Sequence, residues 1–334
     1  MIEILETQPL NSIQDLGRLG YRCHGIGRSG AMDRVALAAA NALLGNDEGA
    51  AGIEFQLFPV RLRFTADTVF SLTGADCMAR LDGRLLPPWW AMEARAGQEL
   101  VLSPPRRGLR SYLAVPGGLD VPLVLGSRST QMRDGFGGLE GRALAAGDRL
   151  TALPSLPFAL RGPAGFGALP APQALDAADR PDAKDGEIVL RTIPAAEYEQ
   201  FDEASHKALW RAPWKVTAQS NRQGYRLAGD VLQRTQLLEM RSHGIMPGVI
   251  QVPPSGQPII QLADGNSAGG YPKIGVVIEA DLWRIAQAAP GNVLRFVSCT
   301  LLEARDAERA ISSYLGTLRR LAAHCRLPLT RRAA

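Results

Sequence analysis

Cysteine and histidine are scarce: the 334-residue sequence contains four of each. No two cysteines form a C-x-x-C pair, and none has the spacing to a histidine that zinc sites show. The sequence therefore predicts no metal site. The four cysteines are Cys23, Cys77, Cys299 and Cys325.

Long hydrophobic runs are also absent. No apolar stretch approaches the roughly 20 residues that a membrane-spanning helix needs. The opening residues, MIEILETQPL, contain no basic segment followed by an apolar run, so they do not resemble a signal peptide. We therefore expect a cytoplasmic protein that works without a membrane.

The net charge of +4 is small for a chain of this length. Nucleic-acid binding requires a basic patch or stripe, and the sequence has only one cluster of basic residues. We therefore expect no nucleic-acid partner. The cluster lies near the C-terminus and contains Arg319, Arg320, Arg326, Arg331 and Arg332.

Several nucleotide and nucleophile motifs are missing. The sequence contains no G-x-x-x-x-G-K-[ST] loop, no G-x-S-x-G elbow and no Met-Lys-Met biotin-carrier sequence. The stretch GFGGLEG, from Gly135, only half resembles a dinucleotide loop, and no helical pattern follows it. We interpret it as a glycine-rich loop, so no recognisable motif for ATP is present.

The remaining composition indicates a mainly β protein with some α-helix. Apolar residues make up 46% of the chain, and 35 glycines and 23 prolines indicate many turns. Most segments alternate or are short and β-branched, without βαβ alternation. A glycine-to-strand unit recurs from Gly97, Gly147 and Gly291, which suggests related barrel-type units. The clearest strands are VRLRFT, TVFSLTG, SYLAVPGG, EIVLRTI, WKVTAQS, GVIQVP, PIIQLAD and NVLRFVS.

Helical periodicity occurs in four places. One helix is predicted in GAMDRVALAAANALLGN, with Ser29 as a candidate N-cap, Asp33 in the first turn and Gly45 at the end. Others are predicted in PAAEYEQFDEASHKALW, in EADLWRIAQAAPG and over about 301–323. Composition divides the chain into a β domain (1–155), a proline- and alanine-rich linker or covering segment (156–186), a second β domain (187–300) and a C-terminal helix with a basic tail (301–334).

Polar residues crowd the glycine-rich stretch 13–33, directly before the first predicted helix. Helix N-termini attract anions, and Arg18, Arg22 and Arg28 would strengthen that attraction for a carboxylate or phosphate. The alternative is that Asp15 and Arg18 pair to hold a loop.

A second polar stretch, 219–229, offers Arg222 beside a glycine. An arginine in this setting suits a substrate carboxylate, and a salt bridge at a strand edge is the alternative. A third stretch begins with a predicted hairpin, GVIQVP–PIIQLAD, and continues into ADGNSAGGYPKIG. We interpret this loop as a binding loop. It carries Asp264, Asn266, Gly269, Gly270, Tyr271 and Lys273.

Many motifs occur in the order found in one known family. The sequence resembles the biotin-dependent carboxyltransferase family, also called allophanate hydrolase subunit 2 or KipA-like, over about residues 1–300. The motifs are QDLGRLG, SGAMD, AANALLGN, GADCMARLDG, YLAVPGGLDVPLVLGSRST, GGLEGRALAAGD, GYRLAG, GVIQVPPSGQPII, GGYPKI and ADLWRIAQAAPGNVLRF.

The resemblance implies two cyclophilin-like β-barrel domains with peripheral helices. It also implies a KipI-like partner, the B-type component, with the active site between the two proteins. Family members include the C-type component of an ATP-dependent 5-oxoprolinase, which also contains an A-type component of the LamB/YcsF class. We therefore expect the C-type component of a 5-oxoprolinase-like complex, inactive alone, which uses ATP to open 5-oxo-L-proline or a related lactam to L-glutamate.

Under this resemblance, Asp264 and Tyr271 are the expected catalytic residues. Asp264 would orient substrate N–H groups or water, and Arg222 would hold a carboxylate. The other expected substrate-binding residues are Asn266, Gly269, Gly270, Lys273, Arg18 and Asp33.

The chain departs from the family pattern at Asn221, His243 and Gly265, where the family usually has Asp, Glu and Arg. All three changes lie in the polar stretches, so other functions of the same fold stay open. One is a carboxyltransferase half of the urea carboxylase type, which would use biotin. The other is a KipA-like regulator that binds and antagonises a KipI-like kinase inhibitor.

Overall fold

The computed structural model describes residues 1–176, 186–236 and 240–329. β-Strands outnumber α-helices in these ranges, so the expected mainly β fold with a few helices is confirmed. Two units are present. The first comprises the described residues of Met1–Arg18, Ser29–Ala178 and Ser312–Ala334, and the second those of Leu19–Arg28 and Asp179–Ile311.

The domain boundaries predicted from composition stay a prediction. Part of the predicted linker, residues 177–185, lies outside the described residues, as do Arg331 and Arg332 of the basic tail. The described part of the linker contains β12 (Phe158–Leu160), β13 (Phe166–Gly167) and α2 (Ala171–Asp176).

The first unit contains two six-stranded antiparallel sheets. One has the spatial order β11 (Arg149–Leu150), β1 (Ile2–Glu6), β4 (Val60–Phe64), β9 (Glu99–Leu102), β6 (Arg80–Leu81), β7 (Arg84–Leu85). The other has the order β13, β8 (Trp90–Ala94), β5 (Thr68–Asp76), β10 (Arg107–Ala114), β3 (Gly52–Phe55), β2 (Ser12–Gln14). A separate pair joins β12 to β23 (Arg326–Pro328).

Alternation along the strands explains the core of the first unit. In β4, Val60, Leu62 and Phe64 are fully buried, because successive side chains point to opposite faces of a sheet. The intervening Arg61 and Arg63 face outward and pair with Glu99 of the neighbouring β9. Buried residues of both sheets contribute to one hydrophobic cluster.

The first predicted helix is α1 (Arg34–Leu44), and it packs against β5 and β10. Its small alanines allow close approach: the Thr73 hydroxyl donates to the Ala36 carbonyl at 2.7 Å. Asp33 is the N-cap, since its carboxylate accepts from the Ala36 N–H, and Gly45 ends the helix with a left-handed φ of 76°. The expectation that Ser29 caps the helix was wrong: its hydroxyl accepts a hydrogen bond from Arg18.

The second unit is built around a closed seven-stranded barrel. Its order is β14 (Glu187–Pro194), β21 (Lys273–Val277), β18 (Val249–Gln251), β19 (Ile259–Gln261), β16 (Gly224–Ala228), β15 (Trp214–Val216), β22 (Val293–Ser298). Parallel pairing of β14 with β22 closes the ring. The predicted hairpin is confirmed, because β18 and β19 pair antiparallel. A ribbon of β17 (His243–Gly244) and β20 (Ala268–Gly269) completes the unit.

Two helices of the second unit are shorter than predicted. The stretch from Pro194 first forms a 3₁₀ turn, Tyr198–Gln200, and α3 (Glu203–Arg211) begins only where Asp202 can cap the Ser205 N–H. The stretch EADLWRIAQAAPG forms the 3₁₀ turn Glu279–Asp281 and the short α4 (Leu282–Ala286). A further 3₁₀ turn is Arg22–His24.

The predicted C-terminal helix is confirmed as α5 (Leu301–His324). In the second unit, its Ala307 packs with Ile278 and Ala280. In the first unit, the Tyr314 hydroxyl donates to the Leu169 carbonyl at 2.8 Å. Within the described ranges, no helix has both the length and the apolar composition needed to cross a bilayer.

The recurring glycine units share one backbone conformation. Gly97, Gly147 and Gly291 have φ values of 91°, 92° and 95°, a left-handed conformation that favours glycine. Each precedes a strand, β9, β11 or β22, so the short sequence repeat marks the same type of turn in both units.

Cys77 is buried in the core of the first unit, and burial raises the pKa of its thiol to about 11. Since only the thiolate reacts, about 0.1% of Cys77 is reactive at pH 8. We expect iodoacetamide at pH 8 to modify the exposed Cys23 in the native chain and Cys77 only after denaturation, as read by peptide mass spectrometry. Native modification of Cys77 as fast as that of Cys23 would contradict this burial.

Candidate functional site

The residues selected from the sequence fall in both units. Arg18 and Asp33 belong to the first unit. The second unit carries the others, which are Arg222, Asp264, Asn266, Gly269, Gly270, Tyr271 and Lys273.

Arg222 and Asp264 form a buried bidentate ion pair. Arg222 Nε lies 2.8 Å from Asp264 Oδ2, and Nη2 lies 3.1 Å from Oδ1. Their side chains are only 5% and 7% exposed. Strand pairing brings them together, because Arg222 precedes β16 and Asp264 follows its antiparallel neighbour β19. The carboxylate that Arg222 holds is therefore that of Asp264, and the pair anchors the start of the loop after β19.

Lys273 lies at the start of β21 and is also buried. Its ammonium is 3.0 Å from Glu197 Oε2 and contacts His243 Nε2. Glu197 also accepts from the backbone N–H of Lys273 at 3.1 Å. We call Glu197, His243 and Lys273 the Lys273 cluster.

The hydrogen bonds of His243 define its role in this cluster. Its Nδ1 lies 3.0 Å from the Arg241 carbonyl, which can only accept, so Nδ1 carries the proton. In the neutral ring, Nε2 then has a free lone pair and accepts from the Lys273 ammonium. Two of the three N–H groups of Lys273 thus meet Glu197 and His243, and the third can meet a substrate oxygen.

The ribbon β17–β20 joins this cluster to the glycine-rich loop. His243 pairs with Gly269, and the Ile245 N–H donates to the Ser267 carbonyl at 3.0 Å. A side chain on Gly269 would approach Gln251 Nε2 to 2.8 Å, and one on Gly270 would approach the Met240 carbonyl to 3.0 Å. The two glycines therefore permit close contact between the loop and the rest of the unit.

Exposed and half-buried polar groups lie around this buried cluster. Tyr271 is 47% exposed, and its carbonyl accepts from Gln251 Nε2 at 3.4 Å. Gln261 Nε2 in turn donates to Gln251 Oε1 at 3.0 Å. The Asn266 side chain is also exposed. The surface near the loop thus offers a phenol and an amide beside a buried ammonium, a set that suits a small amide-bearing molecule.

Arg18 and Asp33 have structural partners in the first unit. Arg18 is buried, donates to the Ser129 carbonyl at 2.7 Å and lies over the Phe136 ring. Asp33 caps α1, as described above, and its backbone N–H donates to the Tyr112 hydroxyl at 2.7 Å. Their expected part in substrate binding stays a prediction.

Comparison with known proteins identifies the family. The model of the carboxyltransferase domain, subdomain A and B, matches residues 24–298. The chain belongs to this carboxyltransferase family.

Relatives in two kinds of protein match nearly the whole chain. The C-type component of the Escherichia coli 5-oxoprolinase is 42% identical over 323 residues, which cover 95% of this chain and 97% of the relative. The urea amidolyase of Saccharomyces cerevisiae is 34% identical over 96% of this chain but only 18% of its own length. The crystal structure of the Kluyveromyces lactis urea amidolyase superposes with a TM-score of 0.83 at 29% identity, covering 95% of this chain and 20% of that protein.

Two residues of this carboxyltransferase site were missed in the sequence. Glu197 lies next to a 3₁₀ turn in a stretch interpreted as helix, and nothing local marks it as a partner of Lys273. Gln251 lies inside the predicted hairpin, where its side chain looked like an ordinary strand residue. His243 was noticed only as a departure from the family pattern, and its contact with Lys273 gives that departure a physical meaning.

Proposed function

We propose that the chain is the C-type component of a 5-oxoprolinase, a complex that uses ATP to open 5-oxo-L-proline to L-glutamate. The observation that carries the proposal is the 42% identity to the E. coli component over 95% of this chain and 97% of the relative. In this proposal the chain is cytoplasmic, is inactive alone and works with a KipI-like B-type component and a LamB/YcsF-type A-type component.

The polar groups of the second unit suit the recognition of a lactam. A lactam presents one strong acceptor, its carbonyl oxygen, and one N–H donor. The free N–H of Lys273 and the Tyr271 hydroxyl would donate to the oxygen, where charge develops as the amide is attacked. The side-chain oxygen of Asn266 would accept from the lactam N–H. Asp264 would act through Arg222 by fixing the loop, so we assign it a positioning role beside its expected catalytic one.

The glycine-rich segment 135–141 does not fit a nucleotide. Phosphate loops present free backbone N–H groups, but here the N–H groups of Gly135 and Phe136 donate to the Gln131 carbonyl, and that of Gly141 donates to the Gly137 carbonyl. We therefore propose that ATP binds to the partner proteins, and we derive no step through ATP on this chain.

The decisive experiment measures ATP-dependent release of glutamate from 5-oxo-L-proline after this chain is mixed with its A- and B-type partners. We expect release that stops when this chain, any partner or ATP is omitted. A complex that assembles, as seen by size-exclusion chromatography, but releases no glutamate would contradict the proposal.

The match to urea amidolyase, at 34% identity and with a structural TM-score of 0.83 to the K. lactis enzyme, favours one second candidate. Under it, the chain is half of a carboxyltransferase, and biotin on a separate carrier supplies the carboxyl group. The same partners would then carboxylate urea when supplied with carboxybiotin. Carboxylation of urea without glutamate release from 5-oxo-L-proline would replace the first proposal with the second.

A further inference from the structure

The segment Leu19–Arg28 belongs to the second unit and carries two arginines whose charges interact. Burial lowers the pKa of the Arg22 guanidinium, and the positive charge of Arg28 lowers this pKa further. The two cations therefore lie close together, in surroundings that water screens poorly.

Arg22 is held by neutral groups. Its Nη2 donates to the Ile245 carbonyl and, at 3.0 Å, to the Asn266 carbonyl. Its Nη1 is buried and has no hydrogen-bond partner among the residues that the structure describes. In the same described ranges, no carboxylate lies within ion-pair distance of Arg22. The charge of Arg22 is thus oriented by the protein but not neutralised by it.

Arg28 is only partly compensated. Its Nη1 lies 3.1 Å from Glu279 Oε1, but the Glu279 side chain is 45% exposed, so solvent weakens this pair. Its Nε is buried and, within the described part of the chain, has no acceptor. Each arginine therefore keeps one buried N–H group without a hydrogen bond.

We infer that Arg22 and Arg28 form an oxyanion site, which takes a carboxylate or a phosphoryl group beside the ribbon β17–β20. Buried donors are costly without acceptors, and two neighbouring guanidinium groups are stabilised when one anion accepts from both. The Arg22 contacts fix the place, since Ile245 follows β17 and Asn266 precedes β20. The anion would thus lie next to the loop that carries Tyr271.

The identity of the anion rests on the proposed function, whereas the existence of the site does not. For a chain that works on 5-oxo-L-proline, a carboxylate in the site is that of the substrate, and a phosphoryl group derives from ATP. The two sources share the same chemistry and are separated by the choice of probes.

The test is isothermal titration calorimetry on the full chain with three probes: inorganic phosphate, 5-oxo-L-proline and 2-pyrrolidinone, which is the same lactam without its carboxylate. Arg28→Ala removes one cation and leaves the ribbon contacts of Arg22 intact. Arg22→Lys keeps the charge but removes the second guanidinium nitrogen. Arg211→Ala, at an exposed arginine in α3 of the same unit, is the matched control, and thermal melting checks that each variant is folded.

We expect both site variants to bind one or both anions about tenfold more weakly or worse, with Arg211→Ala and 2-pyrrolidinone unaffected. A loss for phosphate assigns a phosphoryl group, and a loss for 5-oxo-L-proline assigns a carboxylate. Failure of the unaltered chain to bind either anion, unchanged binding in both site variants or an equal loss in Arg211→Ala would overturn the site. Since no turnover is measured, these results stand apart from the glutamate-release experiment.

Discussion

Replacing Lys273 by methionine is expected to lower glutamate release by the reconstituted complex about a hundred- to a thousandfold. The change removes the buried ammonium that we propose as a donor to the lactam oxygen. The methionine keeps most of the volume of the lysine stem, so packing at the start of β21 is largely retained. Release is measured at saturating ATP and 5-oxo-L-proline, with Lys215→Met, at an exposed lysine of β15, as the control.

The same substitution leaves the Glu197 carboxylate buried without its cation, which costs about 3–5 kcal/mol of stability. The double variant Glu197→Gln/Lys273→Met removes both charges and should recover much of that stability in urea denaturation. Its glutamate release should stay low, because the donor is still missing. Release near the normal rate from the stable double variant would show that Lys273 serves only to neutralise Glu197.

Replacing Asp264 by alanine is expected to abolish glutamate release and to destabilise the second unit by about 3–5 kcal/mol. The physical reason is the buried pair: the change removes the bidentate carboxylate from the Arg222 guanidinium. Urea denaturation followed by tryptophan fluorescence measures the free energy of unfolding, and glutamate release is measured well below the transition. Asp230→Asn, at an exposed aspartate of the same unit, is the control for an ordinary loss of charge.

A second variant separates the catalytic role of Asp264 from its positioning role. Arg222→Met/Asp264→Leu replaces the ion pair with apolar side chains of similar size, which is often neutral for stability. If the carboxylate also acts on the substrate, stability should recover while glutamate release stays absent. Recovery of both would assign the pair to loop architecture alone.

The strands and two of the helices could be predicted because their causes are local. The alternation of β4, the capping residues of α1 and the apolar spacing of α5 are all written in consecutive residues. The predicted start of the helix at Pro194 failed for a local reason too. Asp202 is a better N-cap than any residue before it, so α3 begins later and a 3₁₀ turn fills the gap.

The site was harder to predict, because its contacts join distant parts of the chain. Asp264 and Arg222 were both selected from the sequence, but their mutual pairing depends on β16 lying beside β19. The partner of Lys273 is Glu197, from before α3, and only closure of the barrel brings them together. The sequence therefore indicates which side chains are chemically useful, and strand pairing decides which of them are already engaged with each other.

The division of the chain between the two units has a consequence for its synthesis. Every residue of the second unit lies before residue 312, whereas the first unit also needs the later part of α5 and β23, the partner of β12. Because the ribosome releases the chain from its N-terminus, the barrel can finish folding while the N-terminal sheets still await their last strand. A nascent chain halted between residues 311 and 326 would therefore carry a finished barrel and an unfinished first unit.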